Sequence, residues 1–138
     1  MKLNKLQKME LNNLKIKKLF LIIAFLAVSI IGLLYGIDPQ WFVRKFLGLS
    51  QVDANIAHIL RSIMCLYLAL GLFWLYAAFS DTYRNAAVLT TIIFSGGLVT
   101  GRIISYFSEG QPAPILILYI FMEFALVPIA YWIFKLED

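Results

Sequence analysis

The sequence contains a single cysteine, Cys65, and a single histidine, His58. One cysteine excludes a disulfide within the chain and any metal site that needs several thiolates, and one histidine excludes the usual histidine-rich metal sites. The 138 residues also lack a glycine-rich phosphate loop, a nucleophile elbow and a dinucleotide-binding fingerprint. The sequence therefore predicts no metal site, no cofactor and no enzymatic activity.

Charged residues are also scarce, at 14% of the chain, whereas 62% of the residues are hydrophobic. Soluble domains average about 25% charged and about 45–50% apolar residues, so a water-soluble fold of this size has no room for so much apolar surface. The net charge is +4, but six of the twelve basic residues are lysines that precede residue 19. That distribution is typical of a segment flanking a membrane, so the predicted partner is a lipid bilayer and not nucleic acid.

Four long segments with little charge predict membrane-spanning helices at about residues 19–37, 54–79, 85–107 and 113–134. A helix rises about 1.5 Å per residue, so each segment is long enough to cross about 30 Å of hydrocarbon. The first segment follows lysines as a signal peptide does, but no small-x-small cleavage pattern comes after it, which favours a retained helix. We predict an all-α, integral membrane four-helix bundle that forms one transmembrane domain over residues 19–138.

Two shorter segments flank the first span. Residues 1–18 form a basic N-terminal segment, predicted to be either a short helix on the cytoplasmic leaflet or a partly disordered tail. Asp38 and Pro39 are a favourable N-cap and first helical residue for a short amphipathic helix at about residues 39–49. Trp41 is expected to anchor this helix in the membrane interface; the functional alternative is a lid over a site.

The orientation follows from the lysines and arginines. Residues 1–18, Arg84 and Lys135 together place eight basic residues on one side of the membrane, whereas the loop after the first span has only Arg44 and Lys45. Because basic loops stay on the cytoplasmic side, both termini are predicted to be cytoplasmic.

Two charged residues interrupt the third and fourth apolar segments, Arg102 and Glu123. Helical side chains tilt toward the N-terminus of their own helix, and these two helices run in opposite directions, so the two side chains lean toward each other. We predict a bidentate Arg102–Glu123 ion pair. The pair is either a structural clasp between helices or the centre of a ligand or proton site, since ionisable groups within membranes serve both purposes.

Other polar residues extend this candidate cluster. Arg61 is predicted either to reach the lipid headgroups or to join the ion pair. His58, one turn from Asn55 and Arg61, is either a hydrogen-bonded interfacial histidine or a group that takes up protons or touches a headgroup. Tyr119, one turn before Glu123, supplies a hydroxyl to the pair or is an interface aromatic. The candidate ligand-binding or structural cluster is therefore Arg102, Glu123, Arg61, His58, Asn55 and Tyr119.

Two small-residue motifs predict close helix packing. Gly32 and Gly36 are four residues apart in the first span, and Gly97 and Gly101 have the same spacing in the third. Because glycine has no side chain, this spacing lets the backbone of a neighbouring helix come close.

Several of these blocks occur together in a known arrangement. Gly101-Arg102 precedes an acidic-Gly-x-Pro turn, Glu109-Gly110-Gln111-Pro112, and a glutamate follows in the last helix. Together with Tyr35-Gly36, Pro39 and the segment around residues 55–79, these blocks resemble the bacterial four-helix membrane family catalogued as domain of unknown function 4345. Cys65 stands where that family has the first glycine of a Gly-Leu-Tyr-Leu block. The resemblance covers roughly residues 19–135; it implies a four-helix fold in which Arg61, Arg102 and Glu123 recur, and it implies no activity.

Two functional hypotheses follow. The first is a small, non-enzymatic protein of the bacterial inner membrane that serves as an accessory subunit of a larger complex, with a membrane-protein partner or a second copy of itself. The second is a binder or carrier of a small amphiphile, anion or proton that uses the intramembrane cluster. The second hypothesis predicts a cavity that reaches Arg102, whereas a fully packed bundle around this residue would exclude it.

Overall fold

The computed structural model describes residues 2–137, which form helices and no strand. The elements are α1 (Lys2–Gly36), α2 (Pro39–Phe42, continued by the π-helical Val43–Leu47), α3 (Ala54–Ala78), α4 (Arg84–Glu109) and α5 (Pro114–Phe134). Four helices, α1, α3, α4 and α5, are long and apolar enough to cross a membrane, which confirms the predicted all-α fold with four spans. Residues 1 and 138, the outer limits of the predicted segments 1–18 and 19–138, lie outside the described residues.

The first helix is longer than predicted. α1 has 35 residues, so the basic segment continues directly into the first span as one helix of about 50 Å. The physical reason is composition: residues 2–31 contain neither glycine nor proline and are rich in leucine and lysine, which are strong helix formers. A separate helix on the leaflet and a partly disordered tail were therefore both wrong for residues 2–18.

Polar contacts fasten α1 to the other helices at one end of the bundle. The Lys17 side chain is buried, and its Nζ donates a hydrogen bond to Asn85 Oδ1 at 2.7 Å, at the start of α4. Asn13 Nδ2 donates to the backbone carbonyl of Glu137 at 2.7 Å, beyond α5. These contacts define the basic end of the bundle, where residues 13–17, 81–85 and 135–137 lie.

The short helix after α1 is present as predicted. Asp38 Oδ1 accepts a hydrogen bond from the Trp41 backbone at 3.0 Å, and Pro39 is the first helical residue. The Gln40 side chain donates to the carbonyl of Val52 at 2.5 Å and accepts from its amide at 3.2 Å, which ties the helix to the start of α3. We call this end of the bundle, formed by residues 38–53 and 110–113, the loop end.

The bundle is built from two closely packed helix pairs. In the first pair, glycines of α1 lie directly against α3: a Cβ on Gly32 would come within 2.9 Å of Tyr67 Cβ, and one on Gly36 within 2.5 Å of Met64 Cβ. The predicted close approach at Gly32 and Gly36 is therefore confirmed. The second pair is α4 and α5, joined by the short turn at residues 110–113.

The two pairs meet through aromatic residues of α3. Trp74 Nε1 donates to Thr90 Oγ1 at 2.9 Å, and the Phe94 ring lies 5.1 Å from Tyr67 and 5.6 Å from Trp74, centroid to centroid. Edge-to-face contacts of this kind stabilise a packed core. They fix the relative position of the pairs in the half of the bundle nearer the basic end.

The glycines of α4 do not make the contact that their spacing predicts. A Cβ built on Gly97 or on Gly101 has no atom within 4 Å. α4 instead faces its neighbours through other residues, such as Thr91, Ser95 and Val99, which are buried. The prediction that a helix of the same chain packs closely on Gly97 and Gly101 was therefore wrong.

Candidate functional site

The ion pair predicted from the sequence is formed between α4 and α5. Arg102 Nε donates to Glu123 Oε2 at 2.6 Å, and Arg102 Nη2 donates to Glu123 Oε1 at 3.0 Å. The two parallel bonds give the bidentate geometry in which a guanidinium holds a carboxylate most strongly. The side chains are 18% and 12% exposed, so the pair lies largely inside the protein and still reaches its surface.

Tyr119 joins the pair through its ring. Tyr119 precedes Glu123 by one helical turn on α5 and therefore lies on the same face of the helix. The Arg102 guanidinium carbon is 5.7 Å from the centre of the Tyr119 ring, a distance at which the cation is attracted to the aromatic face. The Tyr119 hydroxyl is buried and has no hydrogen-bond partner among the described residues, so the predicted hydroxyl contact is replaced by a ring contact.

Two further tyrosines, neither of them among the site residues predicted from the sequence, complete the site. Tyr35 of α1 is buried, and its ring contacts Phe42 at 4.9 Å between centroids. Its ring lies 6.0 Å from that of Tyr67 on α3 and 6.0 Å from that of Tyr119. A tyrosine near the end of a long apolar segment is equally typical of an interface aromatic, so spacing alone gave no signal. We call Arg102, Glu123, Tyr35, Tyr67 and Tyr119 the ion-pair cluster.

The other three predicted residues lie elsewhere. Asn55, His58 and Arg61 are exposed in the first turns of α3, at the loop end. Arg61 makes no hydrogen bond or ion pair with the part of the chain that the structure describes, so it does not join Glu123. Its position near the helix start fits the alternative prediction, in which a long side chain extends toward the lipid headgroups.

The ion-pair cluster opens onto the surface of the α4–α5 pair. On one side of Arg102 lies a groove of about 550 Å³, and on the other side a groove of about 360 Å³. Gly97 and Gly101 form one wall of the larger groove, and Ser105, Glu109 and Gln111 contribute polar groups nearer the loop end. The remaining lining is largely apolar and comprises, among others, Leu98, Leu116 and Ile120.

The ion-pair cluster and the groove beside it are suited to binding a ligand. Within residues 2–137, no group of three or more histidine, cysteine, aspartate or glutamate side chains is placed to hold a metal ion. Cys65 is a free, exposed thiol on α3 and is not part of the ion-pair cluster. The site instead offers a guanidinium that is paired with a carboxylate, lies near tyrosine rings and adjoins an apolar groove.

Most of the chain is similar to a known protein family. A family model described as "Domain of unknown function (DUF4345)" matches residues 16–134, which include all four spans and every member of the ion-pair cluster. Comparisons with curated proteins and with solved structures gave no match. Because the family match covers most of the chain, from the last three residues of the basic segment to the end of α5, the protein belongs to the DUF4345 family.

Proposed function

We propose that this protein is a non-enzymatic, multi-pass protein of the bacterial inner membrane that binds an amphiphilic lipid in the larger groove beside Arg102. The observation that carries the proposal is that the groove reaches the guanidinium. A fully packed bundle at this position would have excluded the binding hypothesis and left the accessory subunit as the better proposal.

The polar end of the groove supports recognition of a headgroup. A guanidinium has five N–H donors, and Arg102 uses Nε and Nη2 on Glu123. These two bonds leave further N–H donors on a side chain that is 18% exposed. A phosphate-bearing head is one of the groups that a guanidinium recognises in bidentate geometry.

The apolar walls support binding of a hydrocarbon chain. Gly97 and Gly101 make a depression on α4 because they lack side chains, and Leu116 and Ile120 of α5 line the groove opposite them. A volume of about 550 Å³ is within the usual range of about 300–1,000 Å³ for ligand sites. A phospholipid would place its head near Arg102 and part of one acyl chain along the glycines.

Native mass spectrometry of the purified protein tests this proposal. Gly101→Leu places a side chain in the groove beside Arg102, and we expect it to reduce the retention of phospholipid at least tenfold. Gly96→Leu is the matched control: a Cβ added to Gly96 also has no neighbour within 4 Å, but Gly96 does not line the groove. Equal phospholipid retention in the wild type and in Gly101→Leu would overturn the proposal.

The proposed orientation places the basic end in the cytoplasm and the groove in the outer half of the membrane. It is supported by the eight basic residues of the N-terminal segment, Arg84 and Lys135. Green fluorescent protein fused after residue 138 is expected to be fluorescent, and alkaline phosphatase fused within residues 48–52 is expected to be active. The reverse pattern of activities would contradict this orientation and move the groove to the cytoplasmic half.

An accessory subunit is the second candidate function. It is favoured by the same uncovered glycines, because small residues spaced by four are typical contact points between membrane helices. A pull-down from native membranes distinguishes the candidates. A stoichiometric protein partner that is lost in Gly101→Leu would favour the subunit, and a lipid-loaded monomer would favour the binder.

A further inference from the structure

One face of α4 gives the larger groove a polar wall between the ion pair and the loop end. The polar side chains of this wall are spaced by three, four and seven residues, so they lie on the same side of the helix. They are Arg102, Ser105, Tyr106 and Glu109, and all four line the groove. Because a helix rises about 1.5 Å per residue, Glu109 lies about 10.5 Å farther along the groove than Arg102.

Glu109 places a negative charge at the loop end of this wall. It is the last residue of α4 and is exposed, and its carboxylate makes no hydrogen bond or ion pair among the described residues. Of the described residues that line the larger groove, Arg102 is the one basic residue and Glu109 the one acidic residue. The groove therefore carries opposite charges at two positions along its length.

Two further features favour a cation beside Glu109. Tyr106 precedes Glu109 by three residues and is 51% exposed, so its ring is available to attract an ammonium group. The last carbonyls of a helix carry a partial negative charge, and α4 ends at Glu109. The loop end of the groove is therefore suited to a positive group, whereas Arg102 is suited to a negative one.

The spacing of the two charges fits the head of a zwitterionic phospholipid. Both residues are on one helix, and their side chains tilt in the same direction, so the separation of about 10.5 Å is set by the helix itself. A charge-assisted hydrogen bond of about 2.8 Å at each end leaves roughly 5 Å between the bound phosphate oxygen and the ammonium nitrogen. A two-carbon linker between phosphate and amine covers that distance.

We infer that the larger groove selects phospholipids whose head carries an ammonium group as well as the phosphate, a selectivity that rests on the lipid binding proposed above. The phosphate accepts from Arg102, and the ammonium group donates to Glu109 beside the Tyr106 ring. Phosphatidylglycerol has the same phosphate but hydroxyl groups in place of the ammonium group. Its net negative charge is therefore repelled by the Glu109 carboxylate.

Native mass spectrometry of the full chain measures this selectivity. The purified protein is incubated with an equimolar mixture of phosphatidylethanolamine and phosphatidylglycerol that have identical acyl chains, so that only the heads differ. We expect the wild type to retain phosphatidylethanolamine at least fivefold over phosphatidylglycerol, the effect of one hydrogen bond to a charged group. Glu109→Gln keeps the size of the side chain and is expected to bring the ratio within twofold of equality. Glu109→Lys is expected to reverse the preference.

Glu10→Gln is the matched control. It removes the same charge from an exposed residue of the basic N-terminal segment, and Glu10 does not line the groove. We expect this variant to keep the wild-type ratio of the two lipids. The control therefore separates recognition by Glu109 from a general effect of net charge on lipid binding.

The total amount of bound phospholipid separates failure of this inference from failure of the proposed function. An equal ratio of the two lipids in the wild type would overturn the selectivity, and so would the same ratio in the wild type and in Glu109→Gln. If Gly101→Leu still lowers total retention in that case, the lipid-binding groove stands. If total retention is the same in the wild type and in Gly101→Leu, both the groove and its selectivity are overturned.

Discussion

Replacing Glu123 with glutamine is expected to lower the free energy of unfolding in detergent by about 3 kcal/mol. The change keeps the shape of the side chain but removes the charge that balances Arg102, whose Nε and Nη2 donate to the carboxylate. Arg102 is only 18% exposed, so its charge is then left largely buried without a counterion. Circular dichroism of the purified protein during chemical unfolding measures the loss.

A double-mutant cycle separates pairing from other effects of the substitution. Arg102→Met added to Glu123→Gln removes the uncompensated charge, and we expect it to recover at least about 1 kcal/mol of the loss. Asp81→Asn is the matched control, because Asp81 pairs with Arg84 at 2.9 Å but its side chain is 91% exposed. The Arg84 side chain is only 7% exposed, but it also donates to the Ala78 carbonyl, and the Asp81 carboxylate lies in water, so the loss in Asp81→Asn is expected to be smaller than in Glu123→Gln. No recovery in the double mutant would contradict direct pairing as the source of stability.

The ion pair was predictable because it depends on local geometry. The direction of each helix fixes the tilt of its side chains, and the short turn at residues 110–113 fixes the antiparallel neighbours. Those two facts are enough to bring Arg102 and Glu123 together. The sequence predicts two alternatives for Arg61 because local geometry does not fix the direction in which this side chain points around α3. That direction depends on how α3 is rotated against the other helices.

The remaining contacts of the site depend on packing between helices that are distant in sequence. Tyr35 lies beside Tyr67 and Tyr119 because α1 packs closely on α3 through Gly32 and Gly36, which brings the end of α1 to the ion-pair cluster. Nothing in the spacing of one helix specifies that arrangement. The continuity of α1 was missed for another reason: a change from polar to apolar composition at residue 18 was interpreted as a boundary, although helix propensity does not change there.

The two glycine motifs also show that sequence spacing alone does not specify which helices pack together. The two pairs have identical spacing, but Gly32 and Gly36 are covered by α3, whereas Gly97 and Gly101 have no neighbour within 4 Å of an added Cβ. Spacing identifies a helix face on which close approach is possible, and only the rotation of the helix within the bundle decides whether a partner in the same chain uses it.

Because Gly32 is covered and Gly101 is not, substitution of each glycine by leucine is expected to affect the stability of the protein differently. Gly32→Leu is expected to destabilise the purified protein by about 3 kcal/mol, because its Cβ alone would lie 2.9 Å from Tyr67 Cβ and 3.3 Å from the Met64 carbonyl oxygen. Neither atom is the free end of a flexible side chain, so α1 and α3 must separate. Gly101→Leu is expected to leave stability unchanged or to raise it by up to about 1 kcal/mol, since leucine favours a helix more than glycine does. Chemical unfolding of both variants in the same detergent measures the difference.

Comparing Gly101→Leu with Gly32→Leu also tests what covers the glycine face of α4 in the membrane. A leucine at residue 101 displaces a bound lipid chain without unfolding the protein, whereas it separates a helix that packs closely on the glycines and so removes the stability that this helix contributes. If Gly101→Leu has no effect in detergent but lowers stability or abundance in native membranes, the glycine face is covered there by another protein and the accessory subunit becomes the better proposal. If Gly101→Leu lowers stability in detergent as much as Gly32→Leu does, the open position of Gly101 in the bundle is itself contradicted. Retained stability in both settings, together with loss of bound phospholipid, is the result that only the lipid-binding groove predicts.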